Sequence, residues 1–271
     1  MPEAPEVEAL ALFLRERLTG HEVRATELVE GRAWKTRARP LDGLVGRRVT
    51  AVTRYGKHID LDLDGAHLSL GFGRAGWATW QEADAPDDDD APAAAVIARL
   101  VFDDGILGIV DAGDWLSVQL HLVDDPAEVP AVAKLGPDAA DPGFSRETLE
   151  RALGGRRKQL KALLQEQETL AGIGNAYSDE ILFAARLSPT AHASALTDAE
   201  VTRLYDALHD TLDTAVTERR GVPIAQLKAA KVAAMKVHGR TGEPCPGCGG
   251  VVEDIPGTKG GGQWCPSCQG G

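Results

Sequence analysis

Leu170-Ala171-Gly172-Ile173-Gly174-Asn175-Ala176-Tyr177-Ser178-Asp179-Glu180-Ile181-Leu182-Phe183 sets two glycines one residue apart in front of a helix-forming run. Glycines so placed let the backbone turn sharply and point amides outward at a helix start, where Asn175 is suited to donate to an anion. Phosphate is the obvious anion. A second reading stays open on local chemistry alone, a plain helix–turn–helix connection with a capping asparagine. The flanks are helical too. Ser145 precedes a helix expected to run toward Leu153, Gly154-Gly155 breaks it, and Arg156 to Glu166 is expected as a second, with Leu160, Leu163 and Leu164 on one face. A further helix is expected from Asp198 to about Arg219, with Val201, Leu204, Leu208 and Leu212 as its stripe.

Downstream, Cys245-Pro246-Gly247-Cys248 and Cys265-Pro266-Ser267-Cys268 stand sixteen residues apart and hold all four cysteines of the chain. Two such knuckles bring four thiolates within tetrahedral reach, the pattern of a zinc ribbon. One Zn2+ is expected, in a structural role, because four thiolates leave no open position for water. Disulfides are the alternative, and a reducing compartment disfavours them.

Upstream, the texture is different. Short strands are expected at Val49–Thr53, Ile59–Leu63, His67–Leu70, Ala95–Phe102, Ile106–Val110 and Trp115–Leu122, with turn signals such as Asp64-Gly65 and Asp104-Gly105 between several of them. This is the pattern of antiparallel hairpins folded into a sandwich or barrel. Asp84–Pro92, with four consecutive aspartates, reads as a solvated loop. Lys57 follows Gly56 just before a strand and is either a solvated lysine or a phosphate clamp. The turn-rich run 131–143 reads as a linker, giving an α+β chain divided into 1–130, 144–237 and a finger at 238–271.

The chain opens Met1-Pro2-Glu3, and Val7, Leu10, Ala11, Leu14 and Leu18 repeat behind it at helical spacing up to Thr19-Gly20. Removal of Met1 would expose the secondary amine of Pro2, titrating near pH 8, beside the Glu3 carboxyl. Attack of such an amine on a sugar C1′ carbon gives an iminium directly. On these residues alone an ordinary frayed terminus is the competing reading.

Composition bounds the rest. The 271 residues, 43% hydrophobic, suffice for one large or two modest domains. No run of about 18 apolar residues and no leader before the first helix are visible, so a soluble cytoplasmic protein without a membrane partner is expected. The net charge of −12 argues against nucleic acid until position is considered. Residues 1–130 carry 13 Lys+Arg against 24 Asp+Glu, whereas residues 131–271 carry 16 against 17, so the second half is almost neutral and can hold a basic face.

Taken in order, Pro2-Glu3-Ala4-Pro5-Glu6-Val7-Glu8, Gly56-Lys57-His58, Leu135-Gly136-Pro137, Gly172-Ile173-Gly174-Asn175 through Glu180, and His238-Gly239-Arg240-Thr241-Gly242-Glu243-Pro244-Cys245 resemble the formamidopyrimidine-DNA glycosylase and endonuclease VIII family over nearly the whole chain. The resemblance implies an N-terminal β-sandwich, a helix-two-turn-helix domain and a zinc-ribbon hairpin, with damaged DNA between the halves. It implies a base-excision-repair glycosylase with abasic-site lyase activity, working as a monomer without a small-molecule cofactor. Pro2 would attack C1′, Glu3 would protonate the sugar ring oxygen, Lys57 and Asn175 would hold the flanking phosphates, and Glu180 matches a carboxylate near the damaged-base pocket.

Some positions depart from the family. Its Asp-Pro-Arg-Arg-Phe-Gly segment is here Asp111-Ala112-Gly113-Asp114-Trp115-Leu116, so both arginines are missing. Phe72 stands where a methionine wedge is usual and Trp115 where phenylalanine is, which keeps apolar wedging. The arginine five residues before the third cysteine is Gly260, and the neighbouring Lys259 offers a point charge without bidentate geometry. The segment from Gly221 to Val237 is short for a base-capping loop. Two readings follow: a bifunctional glycosylase and lyase with altered lesion preference, or a catalytically weak DNA-damage-binding protein on the same scaffold.

Overall fold

A computed structural model of the chain describes residues 1–84, 95–257 and 261–270. Internal contacts group them into two units. The first takes Met1–Pro2, Glu6–Ala133 and Arg220–Leu227; the second takes Glu3–Pro5, Lys134–Arg219 and Lys228–Gly271. Arg220–Leu227, expected with the helical domain, thus belongs to the first unit. Ile224 and Leu227 are buried in that unit's core, and the Trp77 indole N–H donates to the Ile224 carbonyl at 2.9 Å.

The first unit contains most of α1 (Ala4–Leu18), strands β1 (Ala25–Leu28), β2 (Val49–Tyr55), β3 (His58–Leu63), β4 (Ala66–Gly71), β5 (Gly76–Glu82), β6 (Ala95–Val101), β7 (Gly105–Asp111) and β8 (Gln119–Val123), and the short α2 (Pro130–Ala133). The strands form two four-stranded antiparallel sheets, ordered β1-β6-β7-β5 and β2-β3-β4-β8. Alternation of apolar and acidic residues makes β3 one-sided, so Ile59, Leu61 and Leu63 enter the core with Leu68 and Leu70 of β4, Leu107 and Ile109 of β7, and Leu10, Leu14 and Leu18 of α1. The expected sandwich is therefore present. Strands β1 and β5 lacked a readable pattern because β1 is mostly exposed and β5 mixes tryptophans with small polar residues.

One strand starts later than expected. Residues 115–118 are not paired, because the Asp111 carboxylate takes the amides of Gly113, Ser117 and Val118 and bends the segment into a loop before β8 begins at Gln119. The acidic loop expected at Asp84–Pro92 lies outside the described residues from position 85 on.

The second unit holds α3 (Arg146–Leu153), α4 (Leu160–Leu164), α5 (Asn175–Ala185), α6 (Asp198–Arg219) and α7 (Leu227–Ala234, from Lys228), then β9 (Glu253–Asp254), β10 (Gln263–Trp264) and α8 (Pro266–Gln269). The Ser145 hydroxyl caps α3 by accepting from the Thr148 amide at 3.2 Å. α4 is shorter than its leucine stripe suggested. Residues 156–160 instead pair with the segment around 191–194, through Leu160 N to Ala191 O at 2.8 Å, Ala193 N to Lys158 O at 3.0 Å and Ser194 N to Arg156 O at 3.0 Å. Leu149, Leu160, Leu163, Leu164, Ile181, Leu204, Leu208 and Leu212 share one core. Among the described residues no helix is long and apolar enough to cross a membrane.

Candidate active site

A buried carboxylate organises the start of α5. The N-cap Gly174 has no side chain to cap that helix, and the Glu3 carboxylate, only 1% exposed, does so from the far end of the chain. It accepts from the amides of Gly174, Ala176 (3.0 Å) and Tyr177 (3.3 Å), and the Lys231 ammonium donates to its Oε1 at 2.9 Å. The amides expected to face a phosphate are therefore satisfied by the protein's own anion, at the positive end of the helix dipole. Both glycines are required for this approach. A Cβ on Gly174 would lie 2.5 Å from Glu3 Cδ, and one on Gly172, at φ +94°, would lie 2.7 Å from the Ala4 Cβ. The Ala4 amide donates to the Gly172 carbonyl at 3.0 Å and pins the chain next to Glu3.

Around this carboxylate lie two lysines that sequence reading passed over. Lys161, on α4, is buried and donates to the Asn175 carbonyl and the Ser178 hydroxyl, both at 3.1 Å, and to Asp179 Oδ1. Burial pushes its pKa down, while Asp179 and Glu3 work in the opposite sense. Asp179 Oδ2 in turn meets His238 Nδ1 at 2.7 Å and accepts from the Gln263 amide at 3.0 Å, joining α5 to the ribbon. Lys231 is 8% exposed, and its ammonium lies 4.9 Å from the centre of the Tyr177 ring. The only signal in the sequence was a lysine at four-residue spacing from Leu227 and Met235.

The remaining expected residues divide. Asn175 is half-buried at the first position of α5, and its Oδ1 accepts from Gln165 Nε2 at 3.0 Å, which orients the carboxamide. Glu180 is anchored by backbone amides. Its two oxygens accept from the amides of Lys236, Val237 and His238, each at 2.9 Å, so the carboxylate holds the chain leading into the ribbon. Lys57 is half-buried in the two-residue turn between β2 and β3, after Gly56 at φ +56°. Arg54 fixes that turn, donating to the Gly56 carbonyl at 3.0 Å and to Glu8 Oε2 at 2.7 Å. Desolvation lowers the neighbouring His58 to about 4, with His121 and Lys57 adding to the effect.

Phe72 is 1% exposed and packs on Trp77 at 5.5 Å between ring centres, so it belongs to the core and is not a surface wedge. Trp115 is 86% exposed. The loop carrying it is built on Asp111: burial pushes that carboxyl up, but the hydrogen bonds from Ser117, Gly113 and Val118 outweigh this and hold it below the usual carboxylate range. Gly113 and Asp114 are exposed on the same loop. Lys259 and Gly260 lie outside the described residues.

The four cysteine sulfurs gather within 4.8 Å of one another. Cys245 and Cys268 are 3.8 Å apart and Cys248 and Cys265 3.6 Å apart, close to the edge of roughly 3.8 Å that a tetrahedron of ~2.3 Å metal–sulfur bonds requires. This cluster can hold a metal ion. Gln269 locks it to the helices, accepting from the Cys265 amide at 2.8 Å and donating to the Leu187 carbonyl at 3.0 Å.

Residues 1–112 match the formamidopyrimidine-DNA glycosylase N-terminal domain and residues 135–225 the formamidopyrimidine-DNA glycosylase H2TH domain. The chain is 34% identical over 279 residues to the formamidopyrimidine-DNA glycosylase of Thermus thermophilus, covering 100% of this chain and 99% of that one. It is 42% identical over 145 residues to an uncharacterized formamidopyrimidine-DNA glycosylase-like protein of Mycobacterium tuberculosis, covering 54% of this chain and 90% of the relative. The crystal structure of the Lactococcus lactis glycosylase with Fapy-dG containing DNA superposes with a TM-score of 0.85 at 26% identity, covering 98% of this chain and 99% of that one. The chain belongs to the formamidopyrimidine-DNA glycosylase family.

Proposed function

We propose that this chain is a DNA glycosylase of base excision repair that also cleaves the strand at the resulting abasic site, with the amine of Pro2 as nucleophile once Met1 is removed. The observation that carries this reading is the seat of Glu3. A chain end would ordinarily fray, yet here residue 3 is buried and held by three helix amides and a lysine, which fixes the residue before it. A binding protein needs no such arrangement.

In the proposed reaction the Pro2 lone pair forms the bond to C1′, and the damaged base departs with the glycosidic electron pair and takes a proton from water. The Pro2 N–H proton passes to the hydroxide left by that water, and Glu3 gives a proton to the ring oxygen as the C1′–O bond opens, leaving an iminium between Pro2 and C1′. Loss of a C2′ proton then expels the 3′ phosphate. Lys57 and Asn175 hold the flanking phosphates, and Trp115 is the apolar group that enters the duplex where the base is flipped out. Zn2+ in the four-cysteine site stiffens the ribbon and takes no part in the chemistry. Damaged DNA is the partner, bound by a monomer.

Borohydride trapping of Met1-trimmed protein on DNA with an abasic site tests this. A covalent adduct is expected, lost in Pro2→Gly and reduced at least 100-fold in Glu3→Gln. Absence of any adduct on abasic, oxidised-pyrimidine or hydantoin DNA, with binding retained, would leave the second reading, a damage-binding protein, for which the exposed Gly113 and Asp114 in place of two arginines speak.

A further inference from the structure

Lys231 occupies a position where a helix of this kind should carry an apolar residue. Leu227 and Lys231 of α7 and Met235 just beyond it are buried at four-residue intervals while Lys228, Ala229, Val232, Ala233 and Ala234 are exposed. An ammonium in that stripe is costly unless it is paired. Its partners include Glu3 Oε1 at 2.9 Å and the face of the Tyr177 ring at 4.9 Å. Tyr177 also donates its amide to the other oxygen of the same carboxylate, so one tyrosine and one lysine enclose Glu3 from opposite elements.

We propose that Lys231 is a positioning residue for Glu3: it holds the Glu3 carboxylate ionised before the reaction, so that Glu3 first accepts the proton of the Pro2 ammonium and then returns that proton to the sugar ring oxygen. One proton makes the circuit. It leaves nitrogen as the amine becomes a nucleophile and ends on the ring oxygen as the C1′–O bond breaks, while the second N–H proton leaves the alkylated nitrogen through water to the departed base as the iminium forms. This rests on the reading of Pro2 as the nucleophile. The other charged groups near the carboxylate are already committed or lie along its own segment. Lys161 faces it from α4 but is bonded to Asp179, whose second oxygen meets His238, and Glu6 is buried one turn further along α1. Lys231 is bonded directly to it.

The distinguishing measurement is the rate of borohydride-trapped adduct on abasic-site DNA between pH 5 and 9, for wild type, Lys231→Met and Lys231→Arg, with affinity for a non-reacting abasic-analogue duplex and thermal midpoints recorded alongside. Methionine keeps the volume and the helix propensity. Lys231→Met is expected to lower the rate at least tenfold at neutral pH and to move the acid limb of the profile to higher pH, since a carboxylate without its cation holds its proton more tightly. Affinity should change less than threefold. Lys231→Arg should return the acid limb to its place. A Lys231→Met profile superimposable on an active wild type overturns the inference and leaves the proposed function standing. A wild type that forms no adduct overturns both.

Discussion

The Glu3 carboxylate accepts from three helix amides and a buried lysine inside the protein. Removing such a carboxylate takes a charged partner from a buried ammonium and an acceptor from the first turn of α5, so Glu3→Ala should cost about 3–5 kcal/mol in urea unfolding, well beyond a surface truncation. Gly174→Ala is a sharper probe, because the added methyl meets Glu3 itself. It should destabilise by roughly 1–3 kcal/mol and abolish adduct formation together, and a variant with normal adduct formation would contradict the close approach. His58 supplies a pH signature. Its folded pKa is depressed from 6.5 to about 4, so the unfolded chain takes up a proton that the fold refuses. Stability is therefore full above pH 6.5 and falls as pH drops through that window, by about 3 kcal/mol in all. His58→Gln should flatten this part of the stability curve, measured as the urea midpoint between pH 4 and 7.

The loop between β7 and β8 shows how an element presents a side chain. Asp111 is buried and accepts from Gly113, Ser117 and Val118, while Trp115 at the tip stays in water. A tryptophan left exposed gives up the burial that its surface would gain, and under the proposed function it serves DNA binding. Trp115→Ala should leave the thermal midpoint unchanged and weaken binding to abasic-analogue DNA about tenfold, within the 1–3 kcal/mol that stacking on a base contributes. Asp111→Asn should lower both stability and affinity, because the loop loses its anchor. Equal affinity of Trp115→Ala and wild type in a fluorescence titration would remove the loop from the interface.

At the scale of the whole chain the acidic balance and the ribbon matter. A net charge of −12 leaves few cations for phosphates, so nonspecific DNA binding should be weak and its logarithmic salt slope shallow; a slope implying many released counterions would contradict this. The ribbon is tied to the helices through Gln269 and through Asp179. Chelation should release one metal ion per chain, zinc under the proposed function, and, by freeing both ties, reduce abasic-DNA affinity at least tenfold; metal release followed with a chromogenic chelator alongside a binding titration checks it.

The sequence alone determined the elements whose signals are local. Period-two alternation marked β3, leucine spacing marked α6, two cysteine pairs marked the metal cluster, and the motif order marked the family. Each depends on neighbours a few residues apart. Only the tertiary structure decided where the charges went. The amides before α5 were legible as an anion site, but the anion proved to be Glu3, 171 residues or more away in the chain. Glu180 was legible as a carboxylate at the right place, yet three amides from 236–238 claim it. Phe72 went to the core and Trp115 to solvent, although both are aromatic residues beside turns. Lys231 and Lys161 were invisible because a lysine is ordinarily a surface residue, and its burial depends on a counter-charge supplied by a distant segment. Long-range pairing of buried charges is a property of the folded arrangement, since desolvation and its compensation exist only once the partners have met.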